Sequence, residues 1–544
     1  MLDLSLPRRA RLLPVAIPLL YVLILFLVSP LHSLFSEWGG VMQYFAGQEI
    51  WRGQGYHGWT SHFWPPLFSV LIGFGSLILP GFAAGKAIAI VSSAVVLYVT
   101  YHLSLLLFSR TDFALWSQVF LATNPLYMYE SLQAHNHLLD AALFSAGLLI
   151  FLNAMDTPSW SHLLLAGMLS GLAGLTRYTS YVLVFLPLSL VFVQRLPRAL
   201  RSSLVFWFGF TLVSCPWWYS NMLSNGSPFY TWDYLNVCVG VLRNELGLSL
   251  HALWRCAGRP DLQGLLAIAL TYPGDYVRNV YSNVQVSLQW ILTGTLAVFV
   301  LPSLLDGFIS IRPRYWLVIV SELVLSIFLV SQAYLAPWYL LNWVVLLTSV
   351  TVAFLLRYLS RIEQIYLLLR RYRVRWILLT ILLVGNLCLS ALELRSYARQ
   401  PSLYYPLWKS TELTRALKAR DPDLASKVIM AIDPGRAYHA GAKYLATPLE
   451  YEGSVDGLVS YAGLSDALKT YAPKYPSDLS GPDLRADYLV YTNPRNVSPS
   501  SLRDSPAFAF LLDPNSAKIP RHFELVFRSE DVVAYKINWK LVER

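Results

Sequence analysis

The chain has 544 residues, of which 55% are hydrophobic and only 14% are charged, and its mean hydropathy is +0.47. A soluble chain carries roughly a quarter charged residues, so this composition excludes an ordinary soluble protein and indicates a polytopic membrane protein. The formal net charge of +10 fits an excess of Lys and Arg in cytoplasmic loops, and we infer no nucleic-acid partner from it.

Apolar runs long enough to cross a bilayer recur up to about residue 393. The first follows the basic segment Arg8-Arg9-Ala-Arg11 without a cleavage signal, which predicts an uncleaved span and a cytoplasmic N-terminus. The apolar piece 67–80 is too short to cross and is predicted to be re-entrant or interfacial. About eleven spans are predicted, at 11–33, 84–108, 113–128, 138–154, 162–175, 180–194, 204–217, 285–305, 315–332, 339–355 and 376–393.

Basic residues set the predicted orientation in the plasma or inner membrane. The most basic connections, Arg195–Arg201, Arg312–Arg314 and Arg357–Arg375, all fall on one side, which the positive-inside rule identifies as cytoplasmic. The external side then receives two large loops, at 34–83 and at 218–284.

These external loops carry two further predictions. The first loop contains a plausible surface helix at 39–52. The second contains Cys238 and Cys256, for which a disulfide and free thiols are both open alternatives.

From about residue 394 the composition becomes that of a soluble, external domain. Strands are predicted at 427–433 and 486–492, a helix at 460–472, and a hairpin from the segments FELVF and VVAYKI. This alternation predicts a small α/β domain over 394–544, following a transmembrane domain over 1–393. The segment Asp433-Pro-Gly lacks a GxGxxG or P-loop pattern, so no nucleotide site is predicted.

Glu37 is the only acid in the first external loop before Glu49. A carboxyl group in the low dielectric of a membrane surface has a raised pKa, which suits a general base. The alternative is a solvated interfacial glutamate without a catalytic role.

The run His135-Asn-His137-Leu-Leu-Asp140 enters the predicted span 138–154. On a helix His137 and Asp140 share a face. Acids within membrane segments usually face a cavity or a partner, so Asp140 is a functional candidate. The alternative is an Asp–His pair that only anchors the helix end.

A divalent metal is a further interpretation of this histidine-rich run. Its ligands would come from the run together with Glu37, His57 or His62. No HExxH or comparable spacing supports this, so we predict no metal and no cofactor.

Two polar residues mark other predicted external turns. Arg177 lies in the short turn Leu175–Ser180, where a permanent cation suits a lipid phosphate, although simple snorkelling to the interface explains it equally. Asn221 follows the span 204–217 among tryptophans that an interfacial aromatic belt explains. The belt does not account for Asn221 itself.

Several weak motifs occur in a specific order along the chain. They are Gly53-Gln-Gly55-Tyr56, Trp64-Pro65-Pro66-Leu67, Asn124-Pro125-Leu126, Gly171-Leu-Ala-Gly-Leu-Thr-Arg177, Pro216-Trp217 with Asn221, and Gly226-Ser-Pro228. With an acid in the first external loop and an external α/β tail, they resemble the GT-C glycosyltransferases. The resemblance is to the group of protein O-mannosyltransferases and lipid A aminoarabinose transferases.

This resemblance implies a GT-C membrane fold and inverting transfer of a sugar from a polyprenyl-phosphate donor to an acceptor hydroxyl at the external face. It implies Glu37 as the base and a second catalytic acid in the next external loop. A gapless register from Asn124-Pro125 places His137 there, whereas position on the helix favours Asp140. Donor and phosphate contacts are expected from Arg177, His135, His137, Tyr44 and Asn221.

The chain departs from the family pattern at two points: the acid is Glu rather than Asp, and Tyr219-Ser220-Asn221 lacks an expected arginine. The acceptor, whether protein, glycolipid or cell-wall glycan, is left open.

Two other functions compete with a transferase. A transporter or flippase for lipid-linked sugars predicts acids at mid-membrane depth and a symmetric pair of interrupted helices. A non-catalytic scaffold would only display the C-terminal domain. We find no internal repeat, and the candidate groups concentrate at one membrane face, which favours the transferase.

Overall fold

The structure is a computed structural model. It describes residues 12–28, 38–56, 61, 63–79, 83–156, 159–246, 256, 259–262, 264–291, 296–332, 337–365, 374–399, 407–447, 454–460, 474–475, 485–493, 506–530 and 532–542. Glu37, His57 and His62 lie outside these residues.

The described part of residues 12–399 is helical. The helices are α1 (Leu13–Val28), α2 (Trp38–Trp51), α3 (Leu67–Gly75), α4 (Ala83–Phe108), α5 (Thr111–Ala122), α6 (Pro125–Ser131), α7 (His137–Asp156), α8 (Trp160–Gly174), α9 (Leu196–Asn225), α10 (Asp233–Val241), α11 (Arg243–Leu246), α12 (Leu265–Thr271), α13 (Pro273–Ile291), α14 (Ala297–Ser310), α15 (Pro313–Ser331), α16 (Leu341–Ile365) and α17 (Val374–Arg399). A 15-residue 3-10 helix occurs at Tyr178–Phe192, and short 3-10 helices occur at Pro260–Leu262 and Pro337–Leu340.

Six helices in the described residues are long and apolar enough to cross a membrane, namely α4, α7, α9, α15, α16 and α17. Shorter apolar helices occur at Leu13–Val28, Tyr178–Phe192 and Phe299–Ser310. The polytopic helical architecture is therefore confirmed, whereas the count of eleven crossings stays a prediction. The predicted span 285–305 covers parts of α13 and α14, and residues 292–295 between those helices are not described.

Glycines let two pairs of helices approach closely. A Cβ atom at Gly167 would lie 2.0 Å from the Phe206 carbonyl oxygen, and one at Gly171 would lie 2.7 Å from the Phe210 carbonyl oxygen. Because both contacts advance in the same direction, α8 and α9 run parallel, and their N-termini lie at the same end of the bundle. A Cβ atom at Gly47 would lie 2.2 Å from the Ser69 carbonyl oxygen, so α2 and α3 also cross in direct contact.

The first loop is helical where the sequence predicts a helix. The predicted surface helix 39–52 corresponds to α2, and within residues 67–79 the described helix is the nine-residue α3; the placement of both at the membrane surface stays a prediction. Nine helical residues span ~14 Å, less than half of the hydrocarbon thickness. Helix α3 is therefore too short to cross the membrane.

Cys238 and Cys256 form a disulfide. The bond ties α10 to the segment that precedes the 3-10 helix Pro260–Leu262. Of the two alternatives left open by the sequence, the structure has the disulfide.

The C-terminal region is a six-stranded mixed sheet of order β3-β2-β1-β4-β6-β5. Strands β2, β1 and β4 are parallel, and β3, β6 and β5 pair antiparallel to their neighbours. The predicted hairpin is confirmed as β5–β6, whereas the predicted helix 460–472 lies outside the described residues except for Ser460. The elements are α18 (Leu407–Arg420), β1 (Val428–Ala431), α19 (Pro434–Ala440), β2 (Lys443–Ala446), α20 (Val455–Val459), β3 (Lys474–Tyr475), β4 (Tyr488–Thr492), β5 (Phe523–Arg528) and β6 (Val532–Ile537), with 3-10 helices at Leu424–Ser426, Pro506–Leu512 and Trp539–Leu541.

The sheet domain packs on α2. Tyr44 meets Tyr438 edge to face at 5.1 Å between ring centroids, and Phe45 stacks on Tyr444 at 6.3 Å. A cavity of about 410 Å³ lies in this contact, between Gln48 of α2 and the turn that precedes β2. Helix α2 therefore connects the C-terminal domain to the helical bundle.

Candidate active site

Polar side chains collect where the N-terminal end of α7 meets α6 and the 3-10 helix Tyr178–Phe192. We call this group the polar layer; it comprises Glu130, His135, His137, Asp140, Arg177, Ser180, Asp233 and Asn342. All but the partly buried Asp233 are buried. Because burial of charged groups costs free energy, such a concentration indicates a functional site rather than a solvated surface.

The short helix α6 supplies Glu130. Asn124 caps this helix by accepting a hydrogen bond from the Tyr127 amide, and Pro125 occupies its first turn. Glu130 Oε2 lies 2.6 Å from His137 Nδ1. Burial raises the pKa of Glu130 to about 8, and the charge of Arg177 opposes that rise. The Glu130–His137 pair can therefore hold or release a proton near neutral pH.

His135 lies against this pair, with its ring 3.9 Å from that of His137. Burial lowers the pKa of His135 well below its usual value, and the charges of His137 and Arg177 lower it further. His135 is consequently a neutral ring at physiological pH. A neutral imidazole both donates and accepts hydrogen bonds, which suits contact with sugar hydroxyls.

Asp140 ties three helices together. Its Oδ1 accepts from Ser180 Oγ at 2.6 Å, and its Oδ2 accepts from Asn342 Nδ2 at 2.9 Å. Both carboxylate oxygens are thus engaged by neighbouring side chains. This arrangement suits a residue that positions the site, because a catalytic base needs an oxygen directed at the substrate.

Arg177 has an extended backbone between α8 and the following 3-10 helix, and its side chain is buried. The guanidinium lies over the Tyr339 ring, 4.5 Å from its centroid. No carboxylate among the described residues forms an ion pair with Arg177. A buried permanent cation without a carboxylate partner is suited to an anionic ligand.

Asp233 begins α10 and approaches the polar layer from the second large loop. Burial raises the pKa of Asp233 to about 7, and Arg177 is the largest opposing influence. Asn221 holds the connection that leads to α10, because its amide donates to the carbonyl oxygens of Pro228 and Tyr230. The structure thus places Asn221 behind the loop rather than in the polar layer.

The start of α2 reaches the polar layer through Gly39. A Cβ atom at Gly39 would lie 2.7 Å from His135 Nε2 and 3.2 Å from the Trp64 ring. Only a glycine permits this approach without displacement of neighbouring rings. Glu37 stands two residues before Gly39 in the sequence.

Tyr44 does not join the polar layer. Its hydroxyl accepts from Gln48 Nε2 at 2.5 Å, and its ring packs on Tyr438 of the C-terminal domain. Desolvation raises the pKa of Tyr44, so the residue stays a neutral phenol. Its position is at the interface between α2 and the sheet.

Sequence reasoning missed Glu130, Asp233, Ser180 and Asn342. Glu130 had a usable signal, because it follows the Asn124-Pro125 helix start and precedes His137 by seven residues. Ser180 and Asn342 reach Asp140 across 40 and 202 residues of chain, and no local pattern indicates such contacts.

Comparison with known proteins supports this reading of the fold. Residues 64–219, which contain α6, the start of α7 and Arg177, match the family model described as dolichyl-phosphate-mannose-protein mannosyltransferase. The chain has the GT-C fold. Its resemblance to the GT-C glycosyltransferases, seen in the sequence motifs, is thereby confirmed.

Solved structures with this fold cover nearly the whole chain. The Archaeoglobus fulgidus oligosaccharyltransferase in the apo form aligns over 88% of this chain and 69% of its own at 13% identity, with a TM-score of 0.54. ArnT from Cupriavidus metallidurans bound to undecaprenyl phosphate aligns over 96% of this chain and 97% of its own at 13% identity, with a TM-score of 0.57.

The Archaeoglobus fulgidus oligosaccharyltransferase AglB has a further structure in complex with an inhibitory peptide and a dolichol-phosphate. It aligns over 88% of this chain and 69% of its own at 12% identity, with a TM-score of 0.53. A search of curated protein sequences finds no significant match.

The described side chains do not form a metal centre. Among the described residues, no group of three or more His, Cys, Asp or Glu side chains is arranged to hold a metal ion. The first-loop ligands considered from the sequence, Glu37, His57 and His62, lie outside that part of the chain.

Proposed function

We propose that the protein is an integral membrane glycosyltransferase that transfers a sugar from a polyprenyl-phosphate donor to an acceptor hydroxyl. The observation that carries this proposal is Arg177, a buried cation without a described carboxylate partner, inside a layer of titratable side chains. A transporter would need its charged groups along a path across the membrane. Here the polar-layer groups converge at one end of α7, while Glu322 and Lys86 are buried separately in α15 and α4.

Arg177 binds the donor phosphate in this proposal. Its planar guanidinium offers two parallel N–H groups to phosphate oxygens, and the buried setting strengthens the attraction. The solved relatives with undecaprenyl phosphate and dolichol-phosphate support a lipid phosphate as the ligand class. The neutral His135 ring then lies on the sugar side of the phosphate.

Glu37 accepts the acceptor proton. The oxygen of the acceptor hydroxyl attacks the anomeric carbon as its proton passes to the Glu37 carboxylate. The bond from the anomeric carbon to the phosphate oxygen breaks on the opposite face, which inverts the configuration. The leaving polyprenyl phosphate carries the bonding electron pair and is stabilised by Arg177. Support for Glu37 comes from Gly39. This glycine follows Glu37 by two residues in the chain and lies against His135.

The other polar-layer residues act around this step. Asp140 is a positioning residue that fixes the 3-10 helix bearing Ser180, immediately after Arg177. The Glu130–His137 pair holds α6 against α7 beside the phosphate site. In this proposal the site faces the exterior, and the C-terminal domain lies on the same side because it packs on α2.

The test uses cells that lack the protein and mass spectrometry of their lipid-linked sugars. Loss of the transferase should accumulate one polyprenyl-phosphate sugar on the external leaflet, and wild-type protein should clear it. Glu37→Gln should fail to clear it while expressing normally, with a rate loss of about 10²- to 10⁴-fold. Glu412→Gln, which removes an exposed glutamate of the C-terminal domain, is the matched control.

Two outcomes would count against the proposal. Normal clearance by Glu37→Gln would remove Glu37 from the base role. Accumulation of the donor on the cytoplasmic leaflet alone would indicate that the protein moves lipid-linked sugars rather than transferring them.

A further inference from the structure

The end of the bundle opposite the polar layer contains an unusual group of arginines. A cavity of about 470 Å³ lies between the N-termini of α8 and α9 and is lined by Arg195, Arg198 and Arg201. Ser159, Trp160 and the buried Ser202 complete its polar rim. Three cations therefore border one cavity at this end of the molecule.

Ion pairing distinguishes these three arginines from their neighbours. Arg312 and Arg314 pair with Asp156, Arg357 pairs with Asp306, and Arg375 pairs with Glu363. Within the described ranges, no carboxylate pairs with Arg195, Arg198 or Arg201. The charge around the cavity is consequently uncompensated by the carboxylates that the structure describes.

The backbone adds to this positive potential. Helices α8 and α9 run parallel and both begin at the cavity, so their positive dipole ends lie side by side. Neither Ser159 nor Arg195 caps its helix with a side-chain hydrogen bond. The cavity therefore combines two helix starts with three guanidinium groups that have no described carboxylate partner, and it suits a phosphate-sized anion.

An apolar track leads away from the cavity. Exposed side chains follow one another every four residues along α9, at Leu196, Leu200, Leu204, Phe208 and Leu212. Side chains at this spacing form one continuous ridge on a helix. Because the ridge begins beside the arginines, a ligand with a phosphate head and an acyl tail matches both features.

We propose that this arginine cavity binds the phosphate headgroup of an anionic membrane lipid, with the acyl chains along the exposed α9 ridge. The proposal is independent of the transferase function, because it concerns the opposite end of the bundle. Ordinary positive-inside arginines would interact with the whole anionic surface and show no selective, retained lipid. The arginine cavity instead predicts one tightly held anionic lipid.

The test is native mass spectrometry of the full-length protein released from nanodiscs that contain equal amounts of phosphatidylglycerol and phosphatidylcholine. Wild-type protein should retain phosphatidylglycerol selectively. Arg198→Gln with Arg201→Gln should lower that retention about tenfold, because each guanidinium–phosphate contact is worth more than a neutral hydrogen bond. Arg361→Gln removes an exposed arginine that does not line the cavity and should leave retention unchanged.

A second variant keeps the test decisive if the double substitution impairs insertion. The triple substitution Arg195→Lys, Arg198→Lys and Arg201→Lys keeps the charge that orients the helices but loses the planar guanidinium, so lipid retention should fall only in part. Equal retention of both lipids by the wild type would overturn the proposal. Displacement of the bound lipid by added inorganic phosphate would overturn the proposal of a lipid ligand and would assign the cavity to free phosphate.

Discussion

The charged groups at the two ends of helix α7 differ in burial and in ion pairing. At its start, Glu130 and His137 are 1% and 3% exposed and lie beside Arg177, which has no described carboxylate partner. At its end, ~30 Å away by helical rise, Asp156 is 22% exposed and pairs with both Arg312 and Arg314.

The difference between these ends separates function from anchoring. Half-exposed ion pairs contribute little free energy and need no further explanation than fixing a helix end at the membrane surface. Buried charges are costly unless a partner or a ligand compensates them. At the start of α7 the buried charge of Arg177 therefore carries a desolvation cost that a bound phosphate would offset. At the end of α7 the charge of Asp156 is already neutralised by its ion pairs.

Of the changes that compare the two ends of α7, Arg177→Gln has the largest expected effect. Loss of two charge-assisted hydrogen bonds to the donor phosphate should lower kcat/KM about 100-fold, equivalent to ~3 kcal/mol. The kcat/KM of Arg177→Lys should lie between those of the wild type and Arg177→Gln, because lysine keeps the charge but lacks the planar guanidinium. Donor titrations in proteoliposomes measure the effect, and unchanged kinetics in both variants would remove Arg177 from the site.

The sequence was sufficient for features that depend on local pattern. The surface helix α2, the short helix α3 and the β5–β6 hairpin follow from apolar runs, alternation and turn residues, and all are present. The backbone hydrogen bonds of each element join residues that are close in the chain, although the tertiary packing of α2 on Tyr438 and Tyr444 is long-range. Their existence therefore needed no knowledge of the tertiary structure.

Features that depend on distant contacts could not be predicted. The helix register marked Asp140 as catalytic, but the partners that occupy both of its oxygens come from the 3-10 helix Tyr178–Phe192 and from α16. Tyr44 was expected at the donor, but its ring is held by Tyr438, almost 400 residues later in the chain. The catalytic role of Asp140 and the donor contact of Tyr44 stay predictions, and the contacts that hold both side chains lie between elements whose packing a single sequence does not reveal.

The next effect tests whether α2 must approach the polar layer. Gly39→Ala would place a methyl group against the buried His135 and Trp64 rings, and overpacking of this kind costs about 1–3 kcal/mol. We expect a displaced α2 and about a tenfold lower turnover, measured at saturating donor. Gly274→Ala is the matched control, because no heavy atom lies within 4 Å of the added Cβ. Equal turnover in both variants would show that the approach of α2 is not needed.

A smaller effect concerns pH. The pKa of Glu130 is about 8 in the folded protein and near 4.5 in an unfolded chain. Between these values the folded state holds the extra proton, so the contribution of Glu130 to stability falls as the pH rises from about 4.5 to 8. The Glu130 carboxyl faces Arg177, His135 and His137. The positive charge of Arg177 opposes the rise in the pKa of Glu130, so it limits the loss of stability.

Thermal unfolding of detergent-purified protein should therefore show a lower midpoint at pH 8.5 than at pH 6 on the order of a few degrees. Glu130→Gln should flatten that dependence, since glutamine does not titrate. Asp112→Asn, at an exposed ion pair, should leave the slope as in the wild type. A slope that persists in Glu130→Gln would assign the titration to another group.

The smallest effect is expected at the other end of α7. Asp156→Asn removes the carboxylate shared by Arg312 and Arg314, but these groups are partly exposed and water can replace the ion pairs. The change should cost about 0–1 kcal/mol of stability and leave turnover within about twofold of the wild type. Unfolding midpoints and donor turnover, measured on the same preparation as Arg177→Gln, give the comparison directly. If Asp156→Asn reduced turnover as strongly as Arg177→Gln, the two ends of α7 would be energetically coupled, and the assignment of function to one end and anchoring to the other would fail.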